Sequence, residues 1–467
     1  LLSELSKAAA VAVIERQGAA GLIFPAPADG EGQAPPAPAQ PQGCLRRLVL
    51  PRLGRAQPPA GGGLTSRASL DALAPGGERS VANKLVVLVA QGSAADTAEA
   101  ARAAIDRRLL AIWNQAFAPL RGLQLDMAVA EAQRDDLVEF SWVALPLRSA
   151  AAYGQTRAEL EALLAARKAS RSFRPVPWSQ ERPRDKCSLD GLRESVITAP
   201  LGTLSEEELY HSYGLRRGED LSGIGLLKRS GYRSRGASED DEREGFFSTS
   251  HVAALPILQR LEPRHQGAVD QYLKALRAAR VRPQDLGRVP GAANGPFGHH
   301  DGHLLFEERL AEYVLPRADL PASERALEHR MRLEGARLAL RRLLEAVYGR
   351  PAPTPCPYYA LLRADGDGMG RAIDAQRSVE AHRELSRALD GFAAQVRRIV
   401  GEHHGSLVYA GGDDLLAFLP LHTAIGCAAT LAERFRTAMA GFPYAASGAA
   451  PTLSVGVAIA HHMEPLS

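Results

Sequence analysis

The sequence predicts an α+β fold in which two ferredoxin-like βαββαβ units are separated by a mostly helical region. Three observations predict it. Residues 351–467 read strand, helix, strand, strand, helix, strand. Residues 1–180 follow the same order with only the first strand missing, and residues 181–350 show helical segments and polar turns.

In the first unit, Leu2, Leu5, Ala9, Val13 and Ile14 recur at a helical period over Leu1 to Arg16. Gly18 to Gly21 stops that helix, and Leu22-Ile23-Phe24 is a short strand ending at Pro25. Residues 26–63 are rich in Pro, Gly, Ala and Gln, a composition that buries little apolar surface, so a long loop is expected over roughly 26–80. Lys84 to Ala90 reads as a buried strand. Ala95 to Phe117 is a helix with Ile105, Leu109, Ile112 and Trp113 on one face. Val138 to Leu147 alternates as a strand, and Tyr153 to Lys168 is helical again. Trp113 and Trp142 both fit core positions. The strand that would complete the unit would precede Leu1, and the chain reads as a piece of a longer protein.

The middle region opens on Cys187-Ser188-Leu189-Asp190-Gly191 and runs to Arg350. Its dense charge run at Ser234 to Gly245 reads as a solvated loop, and His299-His300-Asp301 reads as a loop. Arg216-Arg217 and Lys228-Arg229 are basic pairs expected in loops; they would either steer a polyanion or a neighbouring subunit or simply be solvated charge.

The last unit is the clearest. Tyr358 to Ala364 is a strand running into Asp365-Gly366-Asp367-Gly368-Met369-Gly370. Ser386 to Glu402 is a helix with Leu389, Phe392, Val396 and Ile399 inward, closed by His403 and His404. Leu407 to Ala410 and Leu415 to Leu419 are strands joined by Gly411-Gly412-Asp413-Asp414; Thr423 to Met439 is a helix and Thr452 to Ala460 the final strand.

Composition narrows the function classes. With 45% hydrophobic and 23% charged residues the chain is ordinary for a globular protein, and its length of 467 residues predicts more than one domain. The net charge of +3 permits nucleic-acid contact without arguing for it. No run of about 18 apolar residues predicts a spanning helix. The four cysteines, Cys44, Cys187, Cys356 and Cys427, lie far apart, which fits a reducing, cytoplasmic compartment.

The chemistry concentrates in the last unit. Two glycines allow a tight positive-φ turn at Gly411-Gly412, with Asp413 and Asp414 at its tip. Such a turn alone is an ordinary hairpin; the second acid cluster changes that. Asp365 and Asp367 leave the end of the first strand, which in this fold lies centrally beside the hairpin, so Asp365 can face Asp413 or Asp414. Massed carboxylates repel unless a cation neutralises them, and Mg²⁺, or Mn²⁺ in its place, accepts such ligands while keeping phosphate and water. Two such ions about 4 Å apart would clamp the attacking and leaving oxygens of an in-line displacement at phosphorus. Asp365, Asp413 and Asp414 are therefore the candidate metal ligands and catalytic residues. Gly366, Gly368 and Gly370 leave backbone N–H groups open to triphosphate oxygens, and Gly411 and Gly412 join Gly366, Asp367 and Gly368 as candidate nucleotide contacts.

These residues carry a family resemblance. ADGDGMG at Ala364 to Gly370, Leu385-Ser386, YAGGDD at Tyr409 to Asp414 and LSVGVAIAHHMEPL at Leu453 to Leu466 resemble the Palm domain of the large subunit of type III CRISPR RNA-targeting complexes. The trailing AHHMEPL resembles the Cmr branch (type III-B) more than the Csm branch. LLSELSKAAA at Leu1 to Ala10, LIFP at Leu22 to Pro25, KCSLDG at Lys186 to Gly191, GIGLLKR at Gly223 to Arg229 and FSTSHVAA at Phe247 to Ala254 extend the resemblance upstream. It implies two Palm-type domains, at 1–180 and 351–467, around a helical domain at 181–350. It also implies an ATP-using enzyme that joins ATP molecules 3′ to 5′ into cyclic oligoadenylates when the complex captures target RNA. Guide RNA, target RNA and other Cmr-type subunits are the implied partners.

Matched residue by residue, Asp365, Asp413 and Asp414 stand at the metal-binding acids, and Asp367 is the weaker candidate. Ser454, on the strand beside the hairpin, is expected to contact phosphate. Some features depart from the family. No HD nuclease domain is read within these residues, since His299-His300-Asp301 lacks the further His and Asp ligands such a centre needs. Zinc on four thiolates is not expected at the KC motif, because Asp190 stands where a second cysteine would complete the pair. His461 and His462 at a strand end are read as structural or interface residues. A scaffold subunit that anchors guide RNA without catalysis is the alternative, and three crowded carboxylates argue against it. A diguanylate-cyclase-like hairpin would continue differently after Asp414 than Leu415-Leu416 does.

Overall fold

The structure, a computed structural model, describes residues 1–26, 81–170, 185–198, 204, 209–215, 218–233, 247–282, 285–286, 289, 295–316 and 320–464. Nearly all of the expected loop at 26–80, the charge run at Ser234 to Gly245 and the Arg216-Arg217 pair lie outside them. The chain falls into two compact units, Leu1–Gly236 with Ile373–Ala388, and Ala237–Ala372 with Leu389–Ser467.

The first unit begins with α1 (Leu2–Gln17), whose Leu5, Ala9, Val13 and Ile14 are buried as their spacing predicts. Its N-terminal turn carries a buried ion pair, Lys7 Nζ to Glu4 at 2.9 Å, and Arg108 reaches the same carboxylate at 2.5 Å. The short strand β1 (Leu22–Phe24) pairs antiparallel with β2 (Val86–Val87). Then come α2 (Ala94–Phe117), α3 (Met127–Asp135) and α4 (Tyr153–Ala169). Ile105 and Leu109 of α2 close one core with α1, while Trp113 and Phe117 close a second with Cys187, Leu209 and Leu227. α5 (Gly223–Arg233) starts hard against that second core. A methyl on Gly223 would lie 3.0 Å from the Trp113 ring and 3.1 Å from the Ala130 α-carbon.

Four expectations for this unit are corrected. Only Val86–Val87 of the expected Lys84 to Ala90 strand is paired. Val138 to Leu147 alternates in exposure but forms no ladder among the described residues. A strand needs a partner edge for its N–H and C=O groups, and the paired strands described in this unit are β1 and β2 alone. With no sheet beneath it, Trp142 is 44% exposed instead of joining the core, whereas Trp113 is buried. Arg229, expected in a loop, lies on α5 and holds Glu219 with both guanidinium ends at 3.2 and 3.1 Å. The KC motif is structural: Cys187 is a buried free thiol, and Asp190 accepts from the backbone N–H groups of Leu192 (2.9 Å) and Arg193 (3.1 Å).

The segment Ile373–Ala388 also belongs to this unit. Ser386 Oγ accepts from the N–H of Ala26 at 2.8 Å, and Arg383 donates to the carbonyls of Leu22 and Ala20. Buried His382 meets the Tyr153 hydroxyl at 2.7 Å through Nδ1, and Arg157 binds Asp374 at 2.5 Å.

In the second unit α6 (Thr249–Leu258), α7 (Gln266–Ala278), α8 (Glu307–Tyr313) and α9 (Ala322–Tyr348) precede the sheet. The sheet elements are β3 (Tyr358–Asp367), α10 (Met369–Ala375), α11 (Val379–Glu402), β4 (Ser406–Gly411), β5 (Asp414–Pro420), α12 (Ala424–Met439) and β6 (Thr452–His461), the end of α10 and the start of α11 being counted with the first unit. Their spatial order is β4-β5-β3-β6 with every pair antiparallel, which is the strand order of a ferredoxin-like unit. One face is closed by Phe392, Val396 and Ile399 of α11 and by Leu431 and Phe435 of α12; the Phe392 and Phe435 rings meet edge to face at 5.1 Å. On the other, Tyr359 and Phe418 join the core of the preceding helices. α11 begins earlier than the expected Ser386, at Val379.

The FSTSH segment fastens those helices. Ser248 caps α6 by accepting from the His251 N–H and donates to Asp301 at 3.0 Å. Asp301 in turn accepts from the His303 N–H at 3.0 Å. Burial works to raise the Asp301 carboxyl, but the hydrogen bonds and charge of His303, with the charge of His251, outweigh it and hold it down at about 2. Among the described residues no helix is long and apolar enough to cross a membrane.

Candidate metal and nucleotide site

The site grows from β3, the central strand, which runs three residues further than its apolar stretch implies. Asp365 and Asp367 do not leave the strand; they are its last rungs, paired with Ser454 and Thr452 of β6. Being two apart they point to the same face. On the other side the register of β3 with β5 reaches Ala364 opposite Leu415, and one further step brings Asp365 level with Asp414.

Asp414 opens β5 opposite Gly411, so Gly412 and Asp413 are the two residues of the turn. Only Gly412 takes a positive φ (82°), so one glycine, not two, is required by the turn. Gly411 has open space around its α-carbon, the nearest neighbour to an added methyl being 4.0 Å away. Gly366 serves a different purpose. A methyl there would sit 2.7 Å from Asp413 Cβ and 2.9 Å from its Oδ2, so its lack of a side chain lets the hairpin tip lie over β3. Gly368, at φ 76°, supports the Tyr444 ring in the same way.

Asp365, Asp413 and Asp414 thus share one sheet end. The Asp413 carboxyl is pushed up by partial burial and further by the charges of Asp365 and Asp414, against a backbone hydrogen bond that lowers it. An all-carboxylate donor set suits a hard ion such as Mg²⁺. The three ligand oxygens do not all lie within 4.8 Å of one another.

Asp367 is engaged elsewhere. It accepts from Ser454 Oγ at 2.5 Å and from Thr452 Oγ1 at 3.2 Å. Ser454 was expected beside the hairpin, but β6 lies across β3 from it. Three residues escaped the sequence reading. The Tyr409 hydroxyl donates to both oxygens of Asp414 at 3.1 and 3.0 Å, and its own pKa is raised by burial and by that bond. Arg371, directly after the ADGDGMG run, stacks its guanidinium on the Tyr444 ring at 4.3 Å. Arg371 was legible as a cation adjoining the glycines; Tyr444, distant in sequence, was not.

A family model described as Cas10/Cmr2, second palm domain, matches residues 358–467. The CRISPR system Cmr subunit Cmr2 of Pyrococcus furiosus is 30% identical over 150 residues, covering 26% of this chain and 16% of that protein. Two cryo-EM structures are more distant likenesses at 14% identity. One is type III-B Cmr-beta in the apo state (TM-score 0.40, 81% of this chain and 53% of that one). The other is type III-B Cmr-beta bound to cognate target RNA (TM-score 0.42, 82% and 54%). The chain therefore spans about half or less of the length of the proteins it matches. The resemblance drawn from the motifs, to the large-subunit family of type III CRISPR complexes in its Cmr branch, agrees with the matched family and with the curated relative.

Proposed function

We propose, proceeding from the Cas10/Cmr2 second palm domain that residues 358–467 form, that the chain is the large subunit of a type III-B CRISPR RNA-guided complex and an ATP-using nucleotidyltransferase that makes cyclic oligoadenylates when target RNA binds. The observation that carries this reading is that Asp365, Asp413 and Asp414 are gathered at one sheet end, Asp365 level with Asp414 and Asp413 lying over β3 at Gly366, where their charges repel. A purely structural hairpin has no use for that repulsion, which costs stability unless a cation relieves it.

In this reading Asp365, Asp413 and Asp414 hold Mg²⁺ or Mn²⁺, which supplies charge neutralisation at the reacting phosphate and a more acidic 3′-hydroxyl. Gly366 lets Asp413 reach the site, and Gly368, Gly411 and Gly412 leave backbone N–H groups for the triphosphate. Ser454 and Thr452 hold Asp367 still beside the ligands. Tyr409 orients Asp414. The reading includes three domains at 1–180, 181–350 and 351–467, the first a second Palm-type domain, and a cytoplasmic complex with other Cmr-type subunits, guide RNA and target RNA as partners. The P. furiosus relative is named as a Cmr subunit.

The test is incubation with ATP and Mg²⁺ or Mn²⁺, alone and within an assembled guide complex with target RNA, beside the Asp413→Ala/Asp414→Ala chain. Mass spectrometry reads the products. Target-dependent cyclic oligoadenylate that disappears in the variant is the expected result. Absence of product together with absence of metal-dependent ATP binding would leave a silent scaffold, holding guide RNA and partner subunits, as the function.

A further inference from the structure

The other end of the same sheet carries a second, chemically different cluster. Glu308, His461 and His462 each bring one ligand atom to within 4.8 Å of the others, and among the described residues no other group of three or more His, Cys, Asp or Glu does so. His461 is paired with Tyr358 at the start of β3, whereas Asp365 lies near its end. At about 3.3 Å per strand residue the two clusters are roughly 23 Å apart.

The cluster is built around His462, which is 3% exposed. Its backbone is fixed at both ends: the N–H donates to the Pro357 carbonyl at 2.9 Å, and the carbonyl accepts from Thr249 Oγ1 at 2.9 Å. The ring is sandwiched by Phe306 at 4.2 Å and His461 at 4.9 Å. Nε2 points at Glu308 Oε1, 3.1 Å away, and Nδ1 meets Ser250 Oγ at 2.9 Å. A ligating imidazole needs its second nitrogen held by a hydrogen-bonding neighbour. Ser250 supplies one that donates or accepts by rotation of its hydroxyl, so the Nδ1 contact survives whichever nitrogen carries the proton. Glu308 and His461 are more open than His462.

We infer that Glu308, His461 and His462 form a binding site for a zinc-class divalent transition ion that pins the end of β6 to α8. Two imidazoles and a carboxylate suit such an ion, while the all-carboxylate cluster at the far end suits Mg²⁺. This site shares no residue with the Cys187 region, where zinc on four thiolates was not expected.

The experiment uses the full chain carrying Asp413→Ala/Asp414→Ala, so that the acidic site does not contribute, stripped with a chelator and titrated with Co²⁺ and then Zn²⁺. One equivalent of Co²⁺ should give visible ligand-field bands without a thiolate charge-transfer band, and Zn²⁺ should displace it and raise the melting temperature by a few degrees. Glu308→Gln and His461→Asn alter accessible side chains and spare the buried His462. Each should weaken Co²⁺ binding at least about tenfold and remove the thermal shift. Lack of binding, a thiolate band, or binding unchanged in both variants would each overturn the inference. The acidic site and its proposed activity are not engaged by any of these outcomes.

Discussion

Gly366 lies beneath Asp413 so closely that a single methyl on its α-carbon would stand 2.7 Å from Asp413 Cβ. Gly366→Ala should therefore displace the hairpin tip, at a cost of about 1–3 kcal/mol. Mn²⁺ affinity and nucleotide product should fall together. Gly370→Ala is the control, because nothing lies within 4 Å of its added methyl. Equal effects of the two substitutions would mean that steric relief under Asp413 is not what Gly366 provides.

Asp365 and Asp367 point to one face but differ in engagement, since Asp367 already accepts from Ser454 and Thr452. Asp365→Asn should lower the proposed nucleotidyl transfer on the order of 100-fold or more. Asp367→Asn should cost only about tenfold, and Ser454→Ala should reproduce most of that loss. Single-turnover rates at saturating Mg²⁺ measure all three, and a larger loss from Asp367 than from Asp365 would reverse their roles.

His382 gives the first unit a pH dependence. Burial lowers its pKa to about 4, helped by the charges of Arg157 and Lys84 and opposed by Glu161. The unfolded chain takes up this proton at pH about 6.5, so the folded form loses stability as pH drops from there towards 4, on the order of 3 kcal/mol in all. Above that window the contribution is complete. Hydrogen exchange of peptides covering 378–388 should accelerate as pH falls after correction for intrinsic rates, and His382→Asn should flatten the profile.

Asp301 is a fastening, accepting from Ser248 and from the His303 N–H. Removing it by Asp301→Ala leaves Ser248 and the His303 N–H without their acceptor and should destabilise the second unit by about 2–4 kcal/mol. Its contribution is complete above pH about 3.8 and is lost as pH falls through about 2. Thermal melts at neutral pH check the first statement. Loss of a metal-dependent nuclease activity without loss of stability would contradict it.

The last unit was readable because its strands are apolar, short and bounded by turn residues, and because each helix shows its own inward face. Phe392, Val396 and Ile399 are buried as their spacing requires. Its acids were found for the same reason, since Asp365 and the Asp413-Asp414 pair punctuate strand ends. What could not be read was partnership. Val138 to Leu147 has the right alternation, but alternation names no partner edge, and Trp142 consequently faces outward. Leu385-Ser386 and the LIFP segment were recognised separately, yet the bond from Ala26 N–H to Ser386 Oγ spans 360 residues of chain and has no local sign. The same holds for Ser454, whose neighbour is decided by strand order.

The extension of β3 through Asp367 has a further consequence. Its acids stand on rungs paired with β6, just past the last rung that β3 shares with β5, and adjacent rungs face opposite ways. Adding or deleting one residue between Tyr358 and Asp365 would turn every carboxylate of that strand to the wrong side of the sheet. Lineages of this domain are thus free to exchange side chains around the acids while the count of residues along that strand stays frozen, and insertions should accumulate only in the connections outside it.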